Sequence, residues 1–549
     1  PLQRSGARRG ALGETAPIWG DVVAATPDHR PDGGGERVTV DLDDWPLSLD
    51  PYHVVDFNQA LVLDAVTDPL VREKPHAARP GPRTGPAALD SLESDYAGRI
   101  WRLRPAPEQT WHDGSPVRPA ELAAGVRRAW GPTGFTLPDT FDVPGTKVRR
   151  DADGEFVELT SSIPLPYLPE LLTFPGAAPV REMGADGWMA SGPYRPMRAD
   201  RRRGRIELVR TPSRRTRAHP GAAERLVFQV YGDRADAVSA YDAGELDVCF
   251  STGLEPSMFA ALAGRADATV RPLALAGRLW VRPGVDSVLN GPEGRAEFSA
   301  GWDREAIATA LSGTVLPLRS YRGLWPGADP NDESAEAGRE PSGLRAPRGS
   351  RAELTLTYAD FPPNGHVSRA LAHDIERRFG HRIRLRPLDF PAFAAALAAV
   401  DYELLHCISP APFPHPASLL IPLHSATPGA RALGLRDPAV DAALERALRA
   451  PEGAGDIEAW REAEEVVLRR APVVPLFQAT GVTLCRDGPP PPDVVSSGLV
   501  GLERLDPARS LSPAAPGDRP FRKPSHAHWP SGQRPHQHSI PTARRAATP

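Results

Sequence analysis

Two groups of side chains near the start of the chain are of the types that carry out acid/base chemistry. Asp41, Asp43 and Asp44 are close neighbours, and paired carboxylates can act as general acid and general base. His112 could act as a general base, because an imidazole titrates near neutral pH. The aspartates, however, stand where a strand-like segment enters a loop, and Asp113-Gly114 forms a tight turn directly after His112. These positions favour solvent-exposed aspartates and a structural histidine over a catalytic set.

Two spacings near the C-terminus could bind a transition metal, His526-x-His528 and His536-x-His538. They lie in a segment rich in Pro, Arg and His, which is typical of a disordered tail. The chain has no Gly-x-Ser-x-Gly, His-Glu-x-x-His, P-loop or Cys-x-x-Cys motif. Cys249, Cys407 and Cys485 are too scattered for a metal framework, and they are expected to be small buried side chains, with one disulfide as the alternative. We therefore predict no metal, no cofactor and no enzymatic activity.

Composition excludes several classes of protein. The 549 residues carry a net charge of −4, whereas nucleic-acid-binding proteins are usually basic. A hydrophobic content of 40% and a charged content of 24% are ordinary for a globular protein with a large core. No apolar run reaches the roughly 18 residues of a membrane span, and no secretory leader is visible. The chain has 63 prolines but only the lysines Lys74, Lys147 and Lys523, a bias that predicts an actinobacterial source.

A strand, a turn and a helix are predicted around Trp111. Residues 100–104 alternate apolar and charged side chains, which is typical of a strand with one buried face. The chain then turns at Asp113-Gly114, where glycine accepts a positive φ without steric cost. Pro119 begins a helix whose apolar side includes Leu122, Val126, Ala129 and Trp130. These elements must pack against each other around the tryptophans.

The rest of the chain predicts an α/β protein. In the first half, strands are predicted over 37–42, 205–210 and 226–230, with a helix over about 58–70 and a Pro/Gly-rich loop over 74–90. The run Arg201-Arg202-Arg203 is predicted to be a solvated hairpin tip rather than an anion site. In the second half, strands and helices alternate, with strands over 353–358, 382–388 and 402–406 and helices over about 366–379, 391–399, 438–449 and 456–470.

Five short motifs occur in a fixed order across about 37–480: Trp111-His112-Asp113-Gly114, Ser191-Gly192-Pro193-Tyr194, Gly244-Glu245-Leu246-Asp247, Trp302-Asp303-Arg304-Glu305 and Val473-Val474-Pro475-Leu476-Phe477. In this order they resemble the extracellular solute-binding proteins of family 5. These proteins serve ABC importers of oligopeptides, dipeptides and nickel. Within that family the chain is similar in outline to the oligopeptide-binding proteins encoded with clavulanic acid biosynthesis.

The resemblance implies an α/β, two-lobed periplasmic-binding-protein-like fold of the large peptide-binding subclass. In this fold a hinge joins the lobes and the ligand lies in the cleft between them. The implied parts of this chain are 1–35 as a flexible leader, 36–66 with 185–275 and 475–510 as the core subdomain of lobe one, 67–184 as its extra subdomain, 276–474 as lobe two, and 511–549 as a basic tail rich in Pro and His.

The resemblance also implies ligand-binding residues on both lobes. Asp56 and Phe57 follow the Asp50-Pro51 turn, where the family lines its cleft from lobe one. Phe250 follows the Gly-Glu-Leu-Asp motif, and Trp280 falls near the crossing between lobes; peptide binders often have aromatic residues at both places. Ordinary core packing is the alternative for each aromatic residue.

A loop predicted over 407–416 departs from the family. His406 stands where some peptide binders carry an arginine that meets the ligand carboxylate, and Ser409, Phe413 and His415 belong to the loop itself. Peptide binders usually read Ala-Asp-Tyr-x-x-Pro here, and the aspartate pairs with the α-ammonium of the ligand. This chain has Pro412 in place of the acid. A buried ammonium without a counter-charge costs several kcal/mol, so the change favours modified or arginine-rich peptides or a peptide-like metabolite.

We therefore predict an extracellular protein that captures oligopeptides or a peptide-like metabolite for an ABC transporter. The expected partners are the small ligand and the ABC permease subunits, with no nucleic acid. The protein is expected to be a monomer, peripheral to the membrane and associated with the cell surface. An alternative is a biosynthetic accessory protein or enzyme on the same scaffold, with His406 as its reacting residue, because catalytic residues need no sequence proximity. Another is a receptor that senses peptides without transport.

Overall fold

Runs of β-branched and other apolar residues form the strands of one large sheet, and Ala-rich segments form the helices that cover it. The computed structural model describes residues 37–46, 48–51, 57–73, 84–95, 97–130, 135–183, 187–324, 353–451, 454–470, 472–486, 493–495 and 498–505. All of these residues lie in the first of two units of the chain, Pro1–Ser512 and Pro513–Pro549. The predicted leader and tail lie outside the described residues.

Within the described residues, the strands are β1 Arg37–Leu42, β2 Val71–Glu73, β3 Thr84–Pro86, β4 Leu89–Ser94, β5 Ile100–Pro105, β6 Gly145–Asp151, β7 Gly154–Thr160, β8 Arg181–Glu182, β9 Trp188–Met189, β10 Tyr194–Asp200, β11 Arg205–Arg210, β12 Arg225–Val230, β13 Val248–Ser251, β14 Ala268–Val281, β15 Val315–Pro317, β16 Glu353–Ala359, β17 Arg382–Leu388, β18 Leu404–Pro410, β19 Val473–Cys485, β20 Asp493–Val495 and β21 Gly498–Val500.

The α-helices of the same residues are α1 Phe57–Val66, α2 Pro119–Ala129, α3 Leu168–Leu171, α4 Arg214–Ala218, α5 Arg234–Ala243, α6 Pro256–Ala263, α7 Pro292–Gly301, α8 Arg304–Ala310, α9 Asn364–Phe379, α10 Phe390–Ala398, α11 Ala417–Leu420, α12 Pro428–Ala432, α13 Pro438–Leu448 and α14 Ala454–Arg470. Asp303, Asp389 and Asp437 cap helices α8, α10 and α13 with their carboxylates, which satisfies backbone N–H groups of the first turn.

The large sheet has the strand order β10-β11-β12-β1-β13-β19-β14-β18-β16-β17, and β15 pairs with β19 beside this path. We call β10, β11, β12, β1 and β13 the first half of the sheet, and β18, β16 and β17 the second half. Each half contains parallel strands: β1 pairs in parallel with β12 and β13, and β16 with β17 and β18. Parallel strands place their carboxyl ends at one edge of a sheet, which is where α/β proteins bind ligands.

Two long antiparallel strands, β14 and β19, join the halves. The end of β19 pairs with β13 in the first half, and the end of β14 pairs with β18 in the second half. They pair with each other along most of their length, with an interruption between Pro272 and Ala276. The structure therefore connects the two halves through a ribbon of two strands whose pairing is interrupted between Pro272 and Ala276.

The predicted strand, turn and helix around Trp111 are confirmed. Strand β5 lies in a four-stranded antiparallel sheet of order β4-β5-β7-β6, and Gly114 has a φ of 83°. The buried Trp111 ring donates from Nε1 to the Glu121 carboxylate at 3.1 Å, and the Arg181 guanidinium lies over the ring at 4.8 Å. This contact network fixes helix α2 against the turn.

Several predicted boundaries differ from the structure. The first helix ends at Val66 rather than near Leu70, since the next residues lead into β2. The predicted loop 74–90 contains strand β3. The strand predicted over 402–406 is β18, which runs to Pro410, because Ser409 and Pro410 continue the pairing with β14. The domain boundaries given above stay a prediction.

A buried ion network fixes residues 501–505 to helix α1. Glu503 accepts from Arg215 Nη2 at 2.7 Å and from Nε at 2.9 Å. Arg215 also forms ion pairs with Asp64 at 3.3 Å and with Asp68 at 3.5 Å. Arg72 lies 3.7 Å from Glu503. Buried charges are stable only when paired and hydrogen-bonded, and each acid here has an arginine partner.

Candidate ligand site

The carboxyl ends of the parallel strands from the two halves face each other. After β13 the chain passes Gly253, which lies against the Pro362 carbonyl oxygen beyond the end of β16. Two residues later Glu255 meets His366 of helix α9, with Oε2 and Nε2 2.8 Å apart. These contacts bring the segments after the carboxyl ends of β13 and β16 to one seam, and we take this seam as the candidate ligand site because α/β proteins bind ligands at such edges.

On the first half, Phe57 and Phe250 form a stacked pair with ring centroids 5.3 Å apart. Phe57 begins α1, and Phe250 lies near the end of β13. The structure thus brings together two of the residues predicted for lobe one. Asp56 lies outside the described residues, and its role stays a prediction.

Asp41 holds Phe250 in place from the neighbouring strand. Its Oδ1 accepts from the Phe250 N–H at 2.7 Å, and its Oδ2 accepts from Arg234 Nη1 at 2.6 Å. The same guanidinium nitrogen lies 2.7 Å from Asp43 Oδ1. The prediction of solvent-exposed aspartates is therefore wrong for Asp41, which is 1% exposed, because Arg234 of α5 reaches back over the strand end.

Replacing Asp41 by asparagine is expected to change how stability depends on pH. Burial raises the pKa of Asp41 to about 6, although Arg234 lowers it. The folded state therefore holds this proton to higher pH than the unfolded chain, so the stabilisation is complete below about pH 4 and declines as the pH rises through 6. An asparagine cannot titrate. Asp41→Asn should thus lower the free energy of unfolding more at about pH 4.5 than at about pH 7.5, as measured by urea unfolding.

The control for this comparison is Asp153→Asn, whose side chain is 82% exposed and lies far from the strand end in sequence. Its effect should be small at both pH values. A larger cost of Asp41→Asn at the higher pH would show that the ion pair with Arg234 outweighs burial, which would contradict the prediction.

At the border of the second half, β14 and β18 carry polar and aromatic side chains on one shared, largely buried face. Trp280 pairs with Leu405, Arg278 with Cys407, and Ala276 with Ser409. Because side chains alternate along a strand, Trp280 and Ser409, both predicted site residues, lie on the same face. Ser409 is part of β18 and not of a loop, as the pairing shows.

His406 lies on the opposite face of the same strand. It pairs with Leu279, its Nδ1 is 3.1 Å from Ser368 Oγ of α9, and its ring packs edge-on against Phe477. The side chain is fully buried, and burial lowers its pKa to about 3. The structure therefore separates His406 from Trp280 and Ser409 and keeps its ring uncharged, so it provides no cation for a ligand carboxylate.

Phe413 and His415 belong to an aromatic seam, formed by Phe135, Tyr167, Phe413, His415 and Trp460. Phe135 packs edge-on against the fully buried Phe413 at 5.2 Å. His415 stacks on Tyr167 at 5.3 Å and contacts Trp460 edge-on at the same distance. The seam therefore joins the segment that carries the small sheet to the chain after β18, and both predicted residues are engaged in contacts within the protein.

The remaining residues that could carry out chemistry lie in surroundings that fit a structural role. Burial lowers the pKa of His112 to about 4, so its ring is neutral at physiological pH, as a structural role requires. Cys249, Cys407 and Cys485 are all free thiols, and Cys249 is buried. Arg201, Arg202 and Arg203 form an exposed turn. Within the described residues, no group of His, Cys, Asp and Glu could hold a metal ion. The histidine pairs of the tail lie outside these residues.

Sequence reasoning missed two side chains of this site, Arg278 and Tyr321. Arg278 is 3% exposed, and its Cζ lies 5.2 Å from the centre of the Tyr321 ring and 6.0 Å from that of Trp280. The signal was present in Gly277-Arg278-Leu279-Trp280-Val281, where strand alternation places the arginine on the face of Trp280. Tyr321 lies in the segment after β15, and no local sequence pattern predicts that it contacts β14.

The family model described as "Bacterial extracellular solute-binding proteins, family 5 Middle" matches residues 84–423. The search of curated proteins found no match. Among the described residues, none of the helices combines the length and the apolar character needed to cross a membrane.

Several solved structures are similar to this chain. The murein tripeptide binding protein MppA of Escherichia coli is 15% identical with a TM-score of 0.66, covering 82% of this chain and 94% of its own. Haemophilus influenzae OppA in complex with the peptide RPPGFSPFR is 16% identical with a TM-score of 0.67, covering 87% and 99%. The dipeptide binding protein from Pseudoalteromonas sp. SM9913 in complex with Met-Leu is 14% identical with a TM-score of 0.64, covering 85% and 99%.

Proposed function

Because this chain belongs to family 5 of the bacterial extracellular solute-binding proteins, we propose that it captures oligopeptides or a peptide-like metabolite for an ABC importer. The family match confirms the prediction of a solute-binding protein rather than an enzyme. The similar structures confirm the predicted α/β, periplasmic-binding-protein-like fold.

One observation carries the choice of a peptide-like ligand. The first half of the sheet carries the stacked rings of Phe57 and Phe250, and strands β14 and β18 carry Trp280 and Ser409 on one face; we propose that both sets line the seam. Aromatic walls hold side chains of varied shape, and strand ends offer backbone groups to an extended main chain. Structures bound to peptides are among the similar folds, which supports the same class of ligand here.

We extend the proposal to the partners of the protein and to its location. The protein is proposed to act outside the cell as a monomer, associated with the cell surface, and to deliver its ligand to ABC permease subunits. Proline at position 412, where peptide binders usually have an acid, favours a ligand with a modified amino end or a peptide-like metabolite. A role beside antibiotic biosynthesis in an actinobacterium is the narrower form of this proposal.

The enzyme alternative has no supporting observation in the structure. It needs His406 to reach a substrate, but this side chain is buried against Ser368 and Phe477 on the face away from Trp280.

The proposed function predicts that the purified chain binds peptides in a calorimetric titration. Pools of synthetic peptides of two to nine residues should release or absorb heat at micromolar protein. Nickel chelates and oligosaccharides, titrated in the same way, should give none. Binding of either control in the absence of peptide binding would contradict the proposed ligand class.

A further inference from the structure

Arg278 is a buried cation without an acid. No hydrogen bond or ion pair joins its guanidinium to another residue within the described part of the chain, and its Nε atom is enclosed without a partner. The Tyr321 and Trp280 rings beside it supply only their π-faces. Burying a charge without a counter-charge is costly, so the missing acceptor has to come from a second molecule, either water or a ligand.

Two other arginines with little exposure, Arg304 and Arg215, show how the fold itself uses such a side chain. Arg304 donates to the carbonyl oxygens of Leu318 and Pro475, each within 2.9 Å. Arg215 forms ion pairs with Glu503, Asp64 and Asp68. The fold provides acceptors for the guanidinium groups of Arg304 and Arg215, whereas the described residues provide none for Arg278.

The buried acid beside Tyr321 is already occupied. The fully buried Glu464 accepts from the Tyr321 N–H and from Ser320 Oγ, and it forms an ion pair with Arg322. Glu464 is therefore paired with Arg322 and is not a counter-charge for Arg278. The Tyr321 hydroxyl and the Trp280 indole Nε1 are also enclosed without partners, and both rings lie beside the Arg278 guanidinium.

We propose that Arg278, with Tyr321 Oη and Trp280 Nε1, binds a carboxylate of the captured ligand. A guanidinium offers two parallel N–H donors to a carboxylate, and the hydroxyl and indole N–H can donate to its remaining lone pairs. The inference rests on the proposed function and deepens it, because it assigns the recognition of one end of the ligand. It also supplies the cation that His406, neutral on the other face, does not.

The test uses three synthetic peptide pools with the full chain. The first contains free-acid peptides without Asp or Glu, the second contains their C-terminal amides, and the third contains amides with one internal Glu. Bound peptides are identified by equilibrium dialysis and mass spectrometry, and dissociation constants follow from calorimetry. A free-acid pool that binds about 10- to 100-fold tighter than its amides assigns the C-terminal carboxylate. A comparable gain in the third pool assigns an acidic side chain.

Three variants test whether Arg278 causes the difference in affinity between the peptide pools. Arg278→Met should bind every pool as weakly as the wild type binds amides, and its thermal midpoint without ligand should not fall, because an unpaired buried charge is removed. Arg278→Lys keeps the charge without the planar fork and should retain part of the discrimination. The matched control is Arg282→Met, since Arg282 is exposed and follows the same strand; it should discriminate as the wild type does.

Three results would overturn the inference. Equal binding of the three pools by the wild type would remove the carboxylate role and leave the proposed function intact. Discrimination that survives in Arg278→Met, with or without a fall in its thermal midpoint, would show that Arg278 serves the fold only. Absence of binding of all pools would contradict the proposed function itself. The wild-type measurement decides the first of these even where a variant fails to fold.

Discussion

Replacing Glu503 by glutamine is expected to lower the free energy of unfolding by about 3 to 5 kcal/mol near neutral pH. Glu503 is buried and accepts two hydrogen bonds from Arg215, with Arg72 beside it. Glu503→Gln would leave Arg215 with one acid fewer in a site that excludes water. The segment that carries Glu503 would lose its main polar attachment to α1. Urea unfolding of the variant, compared with the wild type, measures the effect.

The loss of stability caused by Glu503→Gln should depend on pH, and the lowered pKa of Glu503 sets the direction of this dependence. Burial alone would raise the pKa of Glu503, but Arg215 and Arg72 outweigh it and lower the pKa to about 2. The unfolded chain therefore takes up this proton first. The stabilisation is complete above about pH 4.5 and is lost as the pH falls towards 2, so Glu503→Gln should cost less in acid.

The control is Glu158→Gln on β7. Glu158 lies 3.1 Å from Arg149, whose side chain is 50% exposed, and an exposed ion pair contributes about 0 to 1 kcal/mol. Equal costs for the two substitutions would contradict the central role of the buried network.

Replacing Trp460 by alanine is expected to lower the free energy of unfolding by about 3 to 5 kcal/mol. Trp460 is buried in the aromatic seam, where it meets Tyr167 edge-on at 6.1 Å and His415 at 5.3 Å. Truncation would leave a large cavity between α14 and two segments distant in sequence. Neighbouring rings can fill only part of this cavity, because Phe135 and Phe413 are already packed against each other.

Urea unfolding measures this loss, with Phe390→Ala as the control. Phe390 begins α10 and is 39% exposed, so its truncation should cost less than about 0.5 kcal/mol. A double-mutant cycle of Tyr167→Leu and His415→Leu should give a coupling energy of about 0.5 to 1.5 kcal/mol for the stacked pair. Additive effects of these two substitutions would mean that the seam contributes area but no specific ring contact.

Local patterns predicted much of the fold because they depend on neighbours in sequence. The alternation of residues 100–104 identified β5, and the Asp-Gly turn and Pro119 identified the start of α2. Boundaries were less predictable where pairing across the sheet extends a strand. β18 continues to Pro410 because β14 lies opposite, and the sequence around Ser409 carries no sign of that partner.

The candidate site was predictable only in part, for a related reason. Phe57 and Phe250, both predicted because they follow recognisable motifs at strand and turn ends, form a stacked pair, and their role in binding ligand stays a prediction. Strand alternation separates His406 from its neighbour Cys407, and a one-residue step decides which face a side chain takes. The buried position of Asp41 depends on Arg234, which is 193 residues away along the chain.

The interruption between Pro272 and Ala276 has a mechanical consequence for ligand capture. A two-stranded ribbon bends most easily where its ladder of hydrogen bonds lapses, so we expect this point to be the fulcrum of a rotation between the halves. Arg278 lies two residues past Ala276 and is therefore close to the axis of such a rotation. It would barely move while distant parts sweep through large arcs, so an anionic end anchored there could stay bound from first encounter to full enclosure.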